Sequence, residues 1–271
     1  MLARHRQSLI LQAVRSDGSA RVSDLTARLG VSDMTIRRDL EVLAREGLVE
    51  KVHGGAVLPG KPASHDPGFE AKLVLEQPEK SSIAQAAASL VTPGTAIALA
   101  AGTTTFALAQ CLLDVPGITI VTNSLQVTNL YSGTRGPDGT GEAVLLTGGV
   151  RTPSDALVGP VADLTIRSLH VDMLFLGCYG FDADAGLTTP TLAEGETNRT
   201  FMRVARRVVL LADHTKWGLV SLSSFARLSE VDVLVTDDML PADARAQVAD
   251  QVGEVIYAEA MVPGRVEKRS A

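Results

Sequence analysis

The chain has 271 residues, 45% of them hydrophobic and 21% charged, with a formal net charge of −6. That is enough apolar material for a small module plus one sizeable α/β domain. An acidic balance argues against a general nucleic-acid coat protein, whose affinity comes from neutralising phosphates. The charge is nonetheless uneven: residues 1–60 hold 9 Lys+Arg against 7 Asp+Glu, and the remainder holds 16 against 24, so DNA binding is expected only at the N-terminus. Two cysteines, Cys111 and Cys178, lie far apart in apolar segments and suggest neither a disulfide framework nor a Cys-based metal site. The run SLILQAV after the charged N-terminus is too short for a secretory signal and lacks a cleavage pattern, and no uncharged stretch is long enough to span a bilayer. A cytoplasmic protein is expected.

In chain order, the spacing predicts a first helix from His5 to Arg15, with Ile10, Ala13 and Val14 on one face, ended by the turn Asp17-Gly18. A second helix runs from Ser23 to Leu29 and stops at Gly30. The third begins at Ser32, which can cap it, and continues to about Glu46 before Gly47. Its buried face takes Ile36, Leu40 and Leu43, which turns Thr35, Arg37 and Arg38 elsewhere. Helix, short turn, helix is the DNA-reading motif, and LVEKVHGGAV adds two short strands around Gly54-Gly55, the winged form. Ser32, Thr35, Arg37, Arg38, Lys51 and His53 are the candidate DNA-binding residues, with Thr35 a base reader, the arginines on bases or phosphates, and Lys51 and His53 on phosphate or minor groove. His53 could instead only fix the turn at Gly54. A winged-helix interaction module with a solvated arginine pair is the bland alternative.

Residues 58–68, LPGKPASHDPG, are rich in proline and glycine and read as a stiff connector between a DNA-binding domain at 1–57 and a second domain at 69–271. Phe69 to Gln77 is a docking or pairing segment, and a helix starts near Glu79. From Thr95 onward TAIALAA, ITIVTN, AVLLTGG, VDMLFLG, RVVLLAD, VDVLVTD and EVIYAEA are near-continuous apolar runs of the kind buried on both faces of a parallel sheet. An open, mostly parallel α/β sheet is expected, with ligands at the carboxyl ends of its strands. GTRGPDGTG, 133–141, is a surface loop with no assigned chemistry.

At those strand ends stand Gly102, Thr103, Thr104 and Thr105, then Asn123 and Ser124, Gly148 and Gly149, Gly177 to Asp182 with Tyr179 among them, Gly186 to Thr189 with Glu194, and finally Asp213 and Lys216. A Gly-Thr turn opening a helix offers N–H groups, hydroxyls and a positive dipole end to a phosphate, although alone it could simply cap the helix. With a lysine and carboxylates on the same edge it suggests a pocket for a small phosphorylated polyol. Asp182, Glu194 and Lys216 could also serve as an acid-base set for sugar isomerisation. Neither a GxxxxGK[ST] loop nor GxGxxG is present, Asp213-His214 has no nucleophile elbow, and no dense ligand spacing supports a metal, so no cofactor and no metal is expected.

The run from Val22 to Ala56, with TIRRDL and VHGGA, resembles the DNA-binding half of the DeoR family of bacterial transcription regulators. AGTTT, VTNS, the GGVR run, FLGCYGFD, GLTTP, Glu194 and LADHTKWG extend the resemblance over nearly the whole chain. It implies a sensor domain similar in fold to ribose-5-phosphate isomerase, with Gly102 to Thr105 on a phosphate and Asn123, Glu194 and Lys216 lining the sugar. It further implies a repressor of a carbohydrate operon, binding double-stranded operator DNA as a homo-oligomer under control of a phosphorylated sugar. An isomerase-like enzyme carrying a DNA-binding domain is the alternative. Ala100 and Tyr179 stand where the family usually has short polar residues, which implies a smaller, less hydroxylated or differently shaped ligand, or weak binding.

Overall fold

The computed structural model of the chain describes residues 3–17, 19–45, 48–52, 54–57, 64–132 and 143–259. The expected turn at Gly18, helix stop at Gly47, wing residue His53, first part of the connector (58–63) and loop 133–141 lie outside the described residues. The chain divides into two compact units, 1–62 and 63–271. Residues 64–68, expected in the connector, therefore fall in the second unit.

The first unit is built from helices α1 (Ala3–Asp17), α2 (Val22–Leu29) and α3 (Asp33–Arg45) and strands β1 (Ser19–Arg21), β2 (Glu50–Val52) and β3 (Gly55–Val57). Its core gathers Ile10 and Val14 from α1, Val22 and Leu25 from α2, and Ile36, Leu40 and Leu43 from α3. Those α3 positions share one helical face, as their spacing dictates. Gly30 ends α2 at φ 64, and its N–H returns to the Thr26 carbonyl at 3.0 Å. A left-handed glycine is what lets the chain reverse sharply into α3. Strand β1, unforeseen because three residues carry too little periodicity to read, pairs antiparallel with β3 and widens the wing to three strands, β1-β3-β2.

Asp39 is the buried carboxylate of this unit, 4% exposed on the core-facing side of α3. It accepts from the Arg6 guanidinium through both oxygens and from Gln7 Nε2 at 3.0 Å, tying α3 to α1.

The second unit opens with α4 (Phe69–Leu73) and α5 (Gln77–Ala88). There follow β4 (Ala96–Leu99), α6 (Thr103–Cys111), β5 (Thr119–Thr122), α7 (Leu125–Tyr131), β6 (Ala143–Leu146), β7 (Val150–Arg151), β8 (Leu157–Val158) and α8 (Pro160–Arg167). The chain continues through β9 (Val171–Leu176), β10 (Gly180–Asp182), β11 (Gly186–Thr189), α9 (Leu192–Val204), β12 (Ala205–Leu211), β13 (Ser223–Ala226), β14 (Val233–Asp237), α10 (Ala242–Ala249) and β15 (Glu254–Ala258).

Each of the seven apolar runs supplies one strand of a parallel sheet ordered β15-β14-β12-β9-β4-β5-β6. Both faces are covered. Ile97, Leu99, Phe175, Val209 and Val235 pack under α5 and α6. Ala98, Leu174, Leu176, Leu210 and Leu234 point the other way, against Ala162, Ile166, Phe201 and Ala244. The sheet is not the whole of the domain: β10-β11-β13 form a separate antiparallel sheet and β7-β8 a short hairpin. From β4 the strand order runs one way through β5 and β6 and the other way from β9, so the β4/β9 seam is the switch point where an open α/β sheet leaves a crevice.

Candidate functional site

In the first unit, Asp33, Met34, Arg37 and Arg38 project from α3 away from the core and are exposed, Met34 at 77%. Ser32 stands at the head of the helix: its carbonyl accepts from the Thr35 and Ile36 N–H groups, and its hydroxyl lies 2.9 Å from Thr35 Oγ1. Ser32, Thr35 and Arg38 line one shallow groove with Met34 and Val42. Arg37 stands apart, hydrogen-bonded to Asp33 one turn back. Lys51 reaches from β2 to Glu41 of α3 at 3.0 Å, an exposed pair that holds wing to helix while leaving the ammonium accessible.

At the β4/β9 switch point the second unit has a pocket that brings together Gly102, Thr103, Thr104, Thr105, Asn123, Tyr179, Glu194 and Lys216. Gly102 precedes α6, and Thr103 to Thr105 form its first turn, whose free N–H groups are the usual seat for an anion. Asn123, at the end of β5, is a brace as well as a wall: Oδ1 accepts from the Ala101 N–H at 2.8 Å and Nδ2 donates to the Leu157 carbonyl at 3.0 Å. Glu194 accepts from Thr189 Oγ1 at 2.8 Å and Thr152 Oγ1 at 3.2 Å. Burial dominates and pushes its carboxyl up, against those two hydrogen bonds and nearby Lys72. Lys216 Nζ sits 5.8 Å from the centre of the Tyr179 ring. Its loop is fixed by Asp213, which accepts from the Thr215 N–H at 3.1 Å, and by the His214 N–H, which donates to Asp237 at 2.8 Å.

Four expected residues do not line this pocket. Ser124 is buried and caps α7, its hydroxyl accepting from the Val127 N–H at 3.2 Å. Gly148 and Gly149 are structural: both have positive φ, and a Cβ on Gly149 would sit 2.7 Å from the Val158 carbonyl oxygen. Asp182 closes the β10–β11 turn by accepting from the N–H groups of Asp184 and Ala185 at 2.9 and 3.0 Å. Its place in an acid-base set with Glu194 and Lys216 has no geometric support. Ala100 is likewise absent from the pocket wall, being 2% exposed in the core, whereas Tyr179 does line it.

Thr189, expected at a strand end, lines the wall too, whereas Lys72, Lys80, Ser154 and Asn198, also in the wall, were not expected from the sequence. Lys80 sits on α5, away from any strand end, and its Nζ donates to the carbonyls of Lys72 and Leu75 at 2.6 Å each. Burial lowers it to about 8, with Asp213 and Glu76 opposing and Lys216 and Lys72 reinforcing that shift. A lysine falling on the apolar face of α5 beside Ile83, Ala84 and Ala87 was the available signal. Lys72 donates to Asp66 at 3.0 Å and to Ser154 Oγ. Among the described residues no cluster of three or more His, Cys, Asp or Glu could hold a metal ion, and no helix is long and apolar enough to cross a membrane.

The family model for the DeoR-like helix-turn-helix domain matches residues 6–61, and that for the DeoR C terminal sensor domain matches residues 75–238. The chain is 36% identical to the uncharacterized HTH-type transcriptional regulator YgbI of Escherichia coli (strain K12) over 93% of this chain and 96% of that one. It is 34% identical to the putative aga operon transcriptional repressor of Escherichia coli O157:H7, over 88% of each chain. It is 31% identical to the L-fucose operon activator of Haemophilus influenzae, over 88% of this chain and 93% of that one. Ribose 5-phosphate isomerase A of Methanocaldococcus jannaschii overlaps 51% of this chain and 53% of its own at 16% identity with a TM-score of 0.36, a likeness too slight to bear on chemistry. With both of its units matched and full-length relatives above 30% identity, the chain belongs to the DeoR family of transcriptional regulators.

Proposed function

We propose that the protein represses a carbohydrate-metabolism operon and that a phosphorylated sugar held at the β4/β9 switch point controls its grip on operator DNA. The observation that carries this reading is that Lys72, Lys80 and Lys216 line one pocket together with the first turn of α6, since three cations and free backbone N–H groups match a phosphate dianion. Thr189, Asn198, Glu194 and Asp213 supply hydroxyl, amide and carboxylate partners for a polyol in the same wall. Tyr179 adds its ring to that wall beside Lys216, favouring a compact ligand. The same pocket holds its ligand without turning it over, because Asp182 is spent on a hairpin turn. A coupled aldose–ketose assay with ribose 5-phosphate should show no turnover. The operator is read by a homo-oligomer, whose paired α3 helices meet half-sites about one DNA turn apart. Light scattering should give a particle of two or more chains.

The direct test of the DNA reading is a gel shift on the fragment upstream of the protein's own gene. Arg38→Ala should weaken binding by on the order of 1–3 kcal/mol. Arg37→Ala should cost less, because that guanidinium is already paired with Asp33 and so offers DNA less of its charge. Equal and negligible losses for both variants would sink this assignment.

Anion affinity should depend on pH with a defined sign. Lys80 has a folded value of about 8, so it carries its charge at pH 7 and loses it as pH rises. Above that value each pH unit should lower affinity up to about tenfold where this charge is needed, while below it the second ionisation of phosphate, near about 6, favours binding as pH rises. Calorimetric titration with ribose 5-phosphate should therefore show strongest binding near neutrality. Affinity still climbing at pH 9 would contradict the role of Lys80.

A further inference from the structure

The first stretch of the second unit is fastened to the pocket through the pocket's own lysines. Asp66, its side chain 4% exposed, accepts from Lys72 Nζ and the Gly68 N–H at 3.0 Å each and from the Ser154 hydroxyl. Lys72 also donates to that hydroxyl. The Phe69 N–H donates to the Pro153 carbonyl at 3.2 Å, and the Phe69 ring meets Phe106 of α6 edge-on at 5.7 Å, one residue beyond the Thr103–Thr105 turn. Lys80 Nζ holds the far end through the Lys72 and Leu75 carbonyls.

An ammonium has three donors. Lys72 spends two on Asp66 and Ser154, and Lys80 spends two on carbonyls of this same segment, so each keeps one N–H for the pocket that both line. An anion accepting those last donors would complete both lysines without breaking what they already hold. It would fix their remaining freedom and, with it, the segment they bind.

We propose that residues 66–75 form a strap that is both a wall of the pocket and the reader of its occupancy, tightened when an anion engages Lys72 and Lys80. This rests on the anion-binding reading of the pocket given above. Residues 64 and 65 separate the strap in sequence from residues 58–63, which lead from the helix-turn-helix unit, so the strap is the part of the pocket nearest that unit along the chain. Asp66 and Ser154 are its positioning residues: they orient Lys72 and anchor the strap.

Hydrogen exchange on the full-length protein, titrated with inorganic phosphate against chloride at matched ionic strength, tests this. Exchange at residues 103–106 reports anion binding, and exchange at residues 68–75 reports the strap. The expected result is slowing at both, about tenfold at the strap, with one midpoint. In Asp66→Asn, outside the pocket wall, residues 103–106 should still be protected by phosphate, while strap exchange starts faster and loses most of its response; in Ser154→Ala the strap should loosen likewise. Protection at 103–106 with an unchanged strap overturns the strap and leaves the pocket reading standing. No protection at 103–106 overturns the pocket reading and the strap with it. A strap response that survives undiminished in both variants overturns the roles of Asp66 and Ser154 and hence the strap as described.

Discussion

Asp39→Ala should unfold the helix-turn-helix unit at temperatures where the second unit remains intact, and abolish DNA binding without touching any residue that faces DNA. The carboxylate is buried and satisfied by Arg6 and Gln7, so truncation takes this partner from a guanidinium that is itself only 12% exposed. Breaking one side of such a pair costs about 3–5 kcal/mol. A unit of this size commands only about 3–9 kcal/mol in total, at roughly 0.05–0.15 kcal/mol per residue. The loss should lower its melting transition by on the order of 10–40 °C. Asp39→Asn keeps an acceptor but not the charge, and should fall between. The single tryptophan, Trp217, lies in the second unit, so its fluorescence would miss the event. Helical ellipticity or hydrogen exchange across α1 and α3 would register it. A variant that keeps the wild-type melting profile would show that the Asp39 pair does not hold α3.

Asp39 also shows where sequence reasoning stopped. TIRRDL reads correctly as a helix with Ile36 and Leu40 inward, yet an aspartate beside two arginines looks like one more solvated charge. Its partner is 33 residues away on α1, and only packing brings them together. The seven-stranded sheet was legible because a strand buried on both faces must be apolar throughout, which is a local property. The antiparallel sheet β10-β11-β13 was not, since Gly180–Asp182 and Gly186–Thr189 are short and half polar. At the pocket, GTTT, Asn123, Glu194 and Lys216 were legible as polar residues just past or near strand ends. Lys72, Lys80 and Ser154 were not, because they come from helices and a hairpin that fold over the sheet edge. Gly148-Gly149 misled for a physical reason: a glycine pair at a strand end can serve a ligand or a close backbone approach, and here Val158 fills that space.

Lys80→Met separates binding from folding. The ammonium is buried, and its depressed value near 8 records that keeping it charged is unfavourable. Methionine matches the length of the stem and fits beside Ile83, Ala84 and Ala87 on α5. What it cannot do is donate to the Lys72 and Leu75 carbonyls, and losing those two bonds offsets the desolvation saved. The melting temperature of the second unit should therefore change little. Anion affinity should not be spared, because a charge-assisted hydrogen bond in a partly dry pocket contributes about 1.5–3 kcal/mol, or about 10–150-fold in dissociation constant. The pH dependence above 8 should disappear with the side chain. Lys80→Arg should restore only part of the affinity, since a planar guanidinium cannot direct its donors to two carbonyls and a ligand as a tetrahedral ammonium does. Calorimetry with ribose 5-phosphate, run beside thermal melting, gives both numbers. A fall in stability with unchanged affinity would make Lys80 a structural tie and remove it from the anion site.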